Sequence, residues 1–313
     1  MKIDRIPFTT REAWLAARAR DVTASTAGAL LGEHEYMTAF ELWALKSGLL
    51  AEDPTETAAM RRGRLLEDDA LQMLAEDRPT WRVEPGGGDY LRAPSVRIGA
   101  TPDAYAIDPE RAGRGVVQVK TTSDLIFRRK WKDEDGSLRL PIWIAVQAIV
   151  EAKLTGATWA CVALLVVGHG LDLHVIEIPL HAGIWDRLVQ EAAAFWEKVE
   201  RGNPPAADYA RDGDTIADLW PPDAAGEPVD LTGDNRLPGL VDERDEIAAR
   251  TKADKERRAA IDAEIIEKLA GAPVGRLADG REITRTMQRR AEHTVKASTF
   301  AVIRIRTPRK AAA

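Results

Sequence analysis

The amino-acid sequence predicts a mixed α/β fold, in which a short β-sheet is flanked by helices on both faces. Two observations carry this prediction. The middle of the chain alternates apolar and polar residues with a period of two, as in GVVQVKTT, which is typical of strands. Segments with helical periodicity come before, between and after these strands, so helices and sheet have to share one core.

The first quarter of the chain is rich in predicted helices. A short helix in TASTAGALLG has Ser25 or Thr23 as its candidate cap and Gly32 as its end. Hydroxyls accept hydrogen bonds from first-turn amides, and glycine adopts the left-handed backbone of a helix end. Three further helices have apolar residues at helical spacing, in TREAWLAARARD, TAFELWALKSGLL and AAMRRGRLLEDDALQMLAE.

The central segment holds the predicted sheet. RIGATPDAYAID and GVVQVKTT are predicted strands joined by the turn DPERAGRG, and WACVALLVVGHG with LDLHVIEIP forms a predicted hairpin. Between these two pairs, LPIWIAVQAIVEAKLTG is a predicted helix that ends at Gly156. An amphipathic helix in AGIWDRLVQEAAAFWEKVERG follows the hairpin and ends at Gly202.

The C-terminal third differs in composition from the rest. Residues 206–238 are rich in Pro, Gly and Asp, which predicts a linker or surface loop after a main domain over residues 1–205. Residues 239–313 begin with a long charged helix, for which a helical arm fits better than a coiled coil because Asp254 interrupts its apolar seam. A small β tail follows, with a hairpin turn at Asp279-Gly280 and a last strand in FAVIRIRT.

The charge distribution is asymmetric. The net charge is −6, and residues 273–313 carry ten Lys/Arg against three acids, so this tail is +7 and residues 1–272 are −13. An acidic body with a basic tail is compatible with a DNA partner if a metal site lies in the acidic part. One cysteine, a polar N-terminus and short apolar runs predict a cytoplasmic protein without disulfides or a membrane span.

Candidate catalytic residues cluster around the second predicted strand. Gln118 and Lys120 lie two residues apart, so they share one face while the valines between them point to the core. If DPERAGRG is a hairpin turn, Asp103 faces this pair. A carboxylate, an oxygen ligand and a lysine in one pocket suit metal-assisted phosphodiester hydrolysis, in which the aspartate holds Mg²⁺ and the lysine positions charge at the attack site.

The pattern of Pro102-Asp103 followed by Gln118-Val119-Lys120 resembles the PD-(D/E)xK nuclease signature. Over roughly residues 14–205 the chain also resembles the YqaJ-type viral recombinase family, which includes phage lambda-type exonucleases. Six ordered segments carry that resemblance: RARDVTAS, FELWALKSGL, GRLLEDDAL, IGATPDAY, VVQVKTT and AVQAIVEAKLTGATWACVALLV. The resemblance implies a restriction-endonuclease-like core, with the C-terminal helical arm and the basic β tail as additions.

The resemblance also implies specific residue roles. Asp103 would be the central metal ligand and Glu67 a further ligand, direct or through water. Gln118 would take the place of a second carboxylate, beside the Val119 carbonyl, and Lys120 would be the catalytic lysine. Gln147 would be the helix glutamine that contacts the site or the substrate. Arg18, Ser25 and Thr101 would bind the 5′-phosphate through a guanidinium and two hydroxyls.

Ordinary structural explanations stay open for several of these residues. Glu67 could belong to a charged helix face, and Gln147 could be a satisfied buried amide. Arg18 has close rivals in Arg11 and Arg20 for the phosphate, and Ser25 could be only a helix cap. The histidines and the cysteine show no zinc-like spacing, and neither a Gly-x-Ser-x-Gly elbow nor a Walker P-loop is present.

The sequence therefore predicts a Mg²⁺-dependent 5′→3′ exonuclease on double-stranded DNA ends, with Mn²⁺ able to substitute for Mg²⁺. By family analogy it would prepare 3′ overhangs for a single-strand annealing protein, and it would form a homo-oligomer, with a trimer as the candidate form. Two alternatives stay open: an endonuclease or a nuclease of another pathway, and a catalytically weak DNA-binding scaffold. The last is motivated by Gln118, which removes one negative charge from the metal site.

Overall fold

The computed structural model describes residues 1–51, 55–223, 226–289, 291–292, 297 and 301–305. The chain divides into two compact units, Met1–Trp220 and Pro221–Ala313.

The first unit is built around a five-stranded mixed sheet with the strand order β3-β6-β7-β8-β9. Its central strands β7 and β8 are parallel, and the other neighbours are antiparallel. The register pairs Ala104 with Val117 between β6 and β7, so the predicted hairpin between these strands is present. The bounds of the five strands are Arg82–Pro85, Ala104–Ile107, Gly115–Ser123, Trp159–Val167 and Leu171–Ile178.

Helices cover both faces of this sheet. Helix α4 (Ala58–Asp77) packs its apolar residues against Val117 and Val119 on one face. Helix α6 (Ile142–Thr155) packs on the other face, against Val116, and ends at Gly156 in the left-handed backbone conformation, as the sequence predicts. Strand β7 is thus buried on both sides, rather than half-buried. The predicted class, a short mixed sheet flanked by helices, is confirmed.

A second, four-stranded sheet was not anticipated by the sequence. Its order is β1-β4-β5-β2, and its strands are only two to five residues long: Asp4–Pro7, Asp89–Ala93, Ile98–Ala100 and Val22–Thr23. Segments this short contain too few residues for a period of two to stand out. The remaining helices of this unit are α1 (Arg11–Ala19), α2 (Ala27–Leu30), α3 (Ala39–Lys46), α5 (Asp124–Lys130) and α7 (Ala182–Glu200).

Part of the segment predicted to be a linker belongs to the first unit. Helix α8 spans Gly213–Leu219, and the buried Asp212 precedes it. The Asp212 carboxylate accepts hydrogen bonds from Thr38 Oγ1 at 2.5 Å and from the Asp208 amide at 2.7 Å. These bonds attach residues 208–212 to the start of α3, so the unit extends to Trp220.

The second unit contains the predicted long helix, α9, over Leu237–Leu269, and the predicted hairpin of β10 (Val274–Arg276) and β11 (Glu282–Thr284). Residues 301–305 of the predicted last strand form no strand, and its other residues lie outside the described part, as do several of the basic residues of the tail. No helix in the described ranges is both long enough and apolar enough to span a bilayer.

Candidate active site

The β6–β7 hairpin positions the candidate aspartate. Asp103 directly precedes β6, and the register places it opposite Gln118 of β7. Its Oδ2 accepts a hydrogen bond from the Val119 amide at 2.8 Å and another from Gln118 Nε2. The same Gln118 amide nitrogen lies 3.2 Å from the Val119 carbonyl oxygen. The Asp103 carboxylate and the Val119 carbonyl, which the sequence predicts as metal ligands, therefore both lie next to the Gln118 amide nitrogen.

A chain of hydrogen bonds connects Asp103 to the lysine through helix α6. Gln147 Nε2 donates to Gln118 Oε1 at 2.5 Å, and Lys120 Nζ donates to Gln147 Oε1 at 3.0 Å. Gln147 is buried, and its amide bridges two side chains of strand β7. In this arrangement the Gln118 amide turns its nitrogen to Asp103 and its oxygen to α6, so an oxygen contact to a metal requires that the amide rotate.

Glu67 contributes a second carboxylate from helix α4. It is half-buried, and its pKa is raised to about 7. Burial is the main cause, followed by repulsion from the carboxylates of Asp103 and Asp68, while the Lys120 ammonium acts in the opposite direction. Burial also raises the pKa of Asp103, against the stabilising effects of Lys120 and of the two hydrogen bonds that its carboxylate accepts.

The N-terminal candidates form a second polar group beside this network. Arg18 Nη2 donates to Ser25 Oγ at 3.2 Å, and its guanidinium stacks 4.1 Å from the centre of the Trp14 ring. Trp14 Nε1 in turn donates to Thr101 Oγ1 at 3.0 Å. The cap of α2 is Thr26, without a side-chain capping bond, so the expectation that Ser25 or Thr23 caps this helix is wrong.

All nine residues that the sequence predicts for the site line one cavity of about 630 Å³. Neither Arg11 nor Arg20, the two rivals of Arg18, is among its lining residues. The nine residues are Arg18, Ser25, Glu67, Thr101, Asp103, Gln118, Val119, Lys120 and Gln147.

The site also contains residues that the sequence reasoning missed. Trp14 and the loop Gly86–Gly88 line the cavity, and a Cβ added at Gly86 would overlap the carbonyl oxygen of Pro102. Glu151 is 1% exposed on α6, where its Oε1 accepts from Gln147 Nε2 at 3.0 Å. Its four-residue spacing from Gln147, which places both polar residues on one face of the helix, was the available signal.

The donor set is compatible with a hard divalent cation. Two carboxylates, Glu67 and Asp103, line the cavity together with the Val119 carbonyl and the Gln118 amide, and oxygen ligands are those that Mg²⁺ prefers. Among the described residues there is no group of three or more His, Cys, Asp or Glu side chains placed to hold a metal. The acids among the lining residues of this cavity are Glu67 and Asp103, and its lining residues include no histidine or cysteine.

The cavity combines the carboxylates of Glu67 and Asp103 and the Lys120 ammonium with the hydrogen-bonded pair of Arg18 and Ser25. Residues 13–158 match the family model of the YqaJ-like viral recombinase domain. This segment is therefore similar to the YqaJ-like viral recombinase domain, and the resemblance predicted from the sequence is confirmed. An uncharacterised protein YqaJ of Bacillus subtilis (strain 168) is 26% identical over 229 residues, which are 72% of this chain and 69% of that protein.

Solved structures are also similar to this chain, and two of them are exonucleases. An alkaline exonuclease from Laribacter hongkongensis is 20% identical with a TM-score of 0.44, covering 66% of this chain and 98% of that one. A phage-related exonuclease from Haemophilus somnus 129PT is 13% identical with a TM-score of 0.45, covering 58% of this chain and 94% of that one.

Proposed function

We propose that the chain is a divalent-metal-dependent deoxyribonuclease, and that it acts as a 5′→3′ exonuclease on double-stranded DNA ends. The observation that carries the proposal is the cavity shared by the Asp103–Gln118–Lys120 cluster and the Arg18–Ser25 pair. The first group has the chemistry of phosphodiester hydrolysis, and the second has the fork and hydroxyl that suit a terminal phosphate. The match to a viral recombinase domain supports a DNA substrate.

The protein side chains have separable tasks in this reaction. A water oxygen forms the new bond to phosphorus, the bond to the 3′-oxygen breaks, and that oxygen leaves as a hydroxyl. Lys120, held by the Gln147 carbonyl oxygen, places a positive charge beside the phosphate as negative charge develops on it. A bound Mg²⁺ or Mn²⁺ would polarise the phosphate and lower the pKa of a coordinated water. Asp103 and Glu67 would hold that ion, with Val119 O beside them.

The Arg18–Ser25 end of the cavity provides the argument for exonuclease action from a 5′ end. The Ser25 hydroxyl and the Arg18 guanidinium are already hydrogen-bonded to each other, and Trp14 holds the guanidinium by stacking. A phosphate bound there would fix the distance between the strand terminus and Lys120. Cleavage would then occur at a set position from the end rather than at internal sites.

The wider biological role follows by analogy with the family. We propose that the product is a 3′ overhang for a single-strand annealing protein and that the enzyme works as a homo-oligomer, with a trimer as the candidate form. The helix α9 and the basic residues after Pro273 are proposed to serve assembly, contact with the DNA backbone or docking of the partner. Cytoplasmic location stays a prediction from the sequence.

The test uses linear duplex DNA with a label at either end and with 5′-phosphate or 5′-hydroxyl termini, in the presence of Mg²⁺ or of a chelator. The proposal expects stepwise loss from the 5′ end that depends on metal and is faster with 5′-phosphate. Lys120→Ala should abolish this loss, whereas Lys153→Ala, which removes an exposed lysine of α6 outside the cavity, should leave it unchanged.

Two other outcomes would favour the alternatives. Metal-dependent cutting of closed circular DNA favours an endonuclease on the same fold. Retained DNA binding without any metal-dependent cleavage by the wild-type protein favours a recombination scaffold, for which the amide at Gln118 is the motivating observation.

A further inference from the structure

Glu151 is a buried carboxyl group for which the proposed reaction has no role so far. It lies on helix α6, is 1% exposed and accepts one hydrogen bond, at its Oε1, from Gln147 Nε2. Its second oxygen, Oε2, has no hydrogen-bond partner within the part of the chain that the structure describes. A buried carboxyl oxygen without a partner is costly, so packing alone would favour an apolar residue at this position.

The surroundings of Glu151 connect it to the candidate active site. Burial raises the pKa of its carboxyl, and the next cause is repulsion from Asp103, while Gln147 and Lys120 act in the opposite direction. The two charged groups that act on Glu151 are thus those of the strand and turn motif. Among the described residues, no Lys, Arg or His side chain forms an ion pair with it.

Glu151 also fixes the direction of the amide chain. Glu151 Oε1 accepts from Gln147 Nε2, so Gln147 presents its nitrogen to Glu151, and its oxygen is then available to Lys120. Gln147 donates onward to the Gln118 oxygen, and Gln118 donates to Asp103. Without the carboxylate, the Gln147 amide could turn its nitrogen toward the Lys120 ammonium, which would place two donors against each other.

We propose that Glu151 is a positioning residue that supplies, from helix α6, the carboxyl group that Gln118 removes from strand β7. It acts through Gln147 and Gln118 rather than by contact with substrate, and it helps the site to hold a divalent cation. The inference rests on the proposed function only in requiring that the cavity bind Mg²⁺, and metal binding can be measured without DNA.

The test compares four proteins: wild type, Glu151→Gln, the exchange variant Gln118→Glu/Glu151→Gln, and the control Glu76→Gln. The control removes an exposed glutamate of α4 outside the cavity. Mg²⁺ affinity is measured by calorimetry, and the melting temperature is measured with and without Mg²⁺. Glu151→Gln should lower the Mg²⁺ affinity by about 10-fold. Its melting temperature without metal should equal or exceed that of wild type, because an unpaired buried carboxyl is gone.

The exchange variant gives the sharpest expectation. It keeps the number of carboxyl groups and moves one from the helix to the strand, so it should recover most of the lost Mg²⁺ affinity. A residue that only supports packing would not be rescued in this way. The Glu76→Gln control should bind Mg²⁺ like the wild type.

Three results would overturn the inference: an unchanged Mg²⁺ affinity in Glu151→Gln, no recovery in the exchange variant, or a wild-type protein that binds no Mg²⁺. A fifth protein, Glu151→Met, provides a fourth such result: a lower metal-free melting temperature in both it and Glu151→Gln would identify a structural role and overturn the inference. Failure of the proposed function alone would give a different result. The wild type would bind Mg²⁺ and Glu151→Gln would bind it more weakly, but the wild type would not cleave DNA.

Discussion

Replacing Glu67 with glutamine is expected to stabilise the metal-free protein at pH 8 while it weakens the binding of Mg²⁺. Glu67 lies half-buried on α4, and its pKa is raised to about 7 by burial and by the nearby carboxylates of Asp103 and Asp68. The carboxylate is thus costly to the fold in the absence of a cation, which is expected of a group kept for binding. Glutamine has nearly the same shape and carries no charge.

The sign and size of the effect follow from the pKa. In the unfolded chain Glu67 titrates near 4.5, so between pH 4.5 and about 7 the folded protein holds a proton that the unfolded chain has lost. The free energy of unfolding therefore falls as the pH rises through this window and levels off above it. The full pKa difference corresponds to about 3 kcal/mol. Solvent screening at this partly exposed site reduces the expected gain from Glu67→Gln to about 1–2 kcal/mol.

The assay is urea unfolding of the wild type and Glu67→Gln at pH 5 and pH 8, with a chelator present. The variant should be more stable at pH 8, and the difference should shrink at pH 5. Asp69→Asn, which neutralises an exposed acid on the same helix, is the control and should show no such pH dependence. A variant that is less stable than wild type at pH 8, or equally changed at both pH values, would refute the reasoning.

Three further predictions concern the same cavity. Gly86→Ala should destabilise the fold by about 1–3 kcal/mol and reduce cleavage, because its Cβ would displace the turn that carries Asp103. The control Gly170→Ala has open space around the added Cβ and should change neither property. Thermal melts and nuclease assays measure both effects. Gln118→Glu should leave cleavage intact or improve it, and abolished cleavage would count against its place in the site. Arg18→Ala should remove the preference for 5′-phosphate over 5′-hydroxyl ends in a rate comparison, and a retained preference would contradict its assignment.

Cleavage should also depend on pH. Because Glu67 has to be ionised to hold a cation, Mg²⁺-dependent cleavage by wild type is expected to rise as the pH increases through about 7. In Glu67→Gln this rise should be absent from the residual activity. A wild-type profile that stays flat between pH 6 and pH 8 would contradict a ligand role for Glu67.

The strand and the helix that carry the predicted site could be predicted from the sequence because they are long and regular. Strand β7 is nine residues long, and α6 ends at a glycine in the left-handed conformation. The hairpin that faces Asp103 toward Gln118 follows from its turn residues, since their spacing leaves few other connections. Local patterns of this kind survive in the structure because packing reinforces them.

The missed features depend on contacts between distant segments. Glu151 differs from an exposed helix glutamate only by what packs around it, and the direction of the Gln118 amide is set by Gln147, 29 residues away. Asp212 attaches the end of the first unit by a bond to Thr38 that spans 174 residues. Neither periodicity nor composition encodes the partners of the Gln118 amide and of Asp212, so a single sequence does not reveal them.

The most direct test of the central claim measures nucleotide release from 5′-phosphorylated linear duplex DNA by purified wild type and Lys120→Ala, with Mg²⁺ and with a chelator. The account predicts release by wild type with Mg²⁺, none with the chelator, and a loss of about 100-fold or more in the variant, at an unchanged melting temperature. Release that persists in the chelator, or equal release by Lys120→Ala, would contradict the assignment of this cavity as the nuclease site.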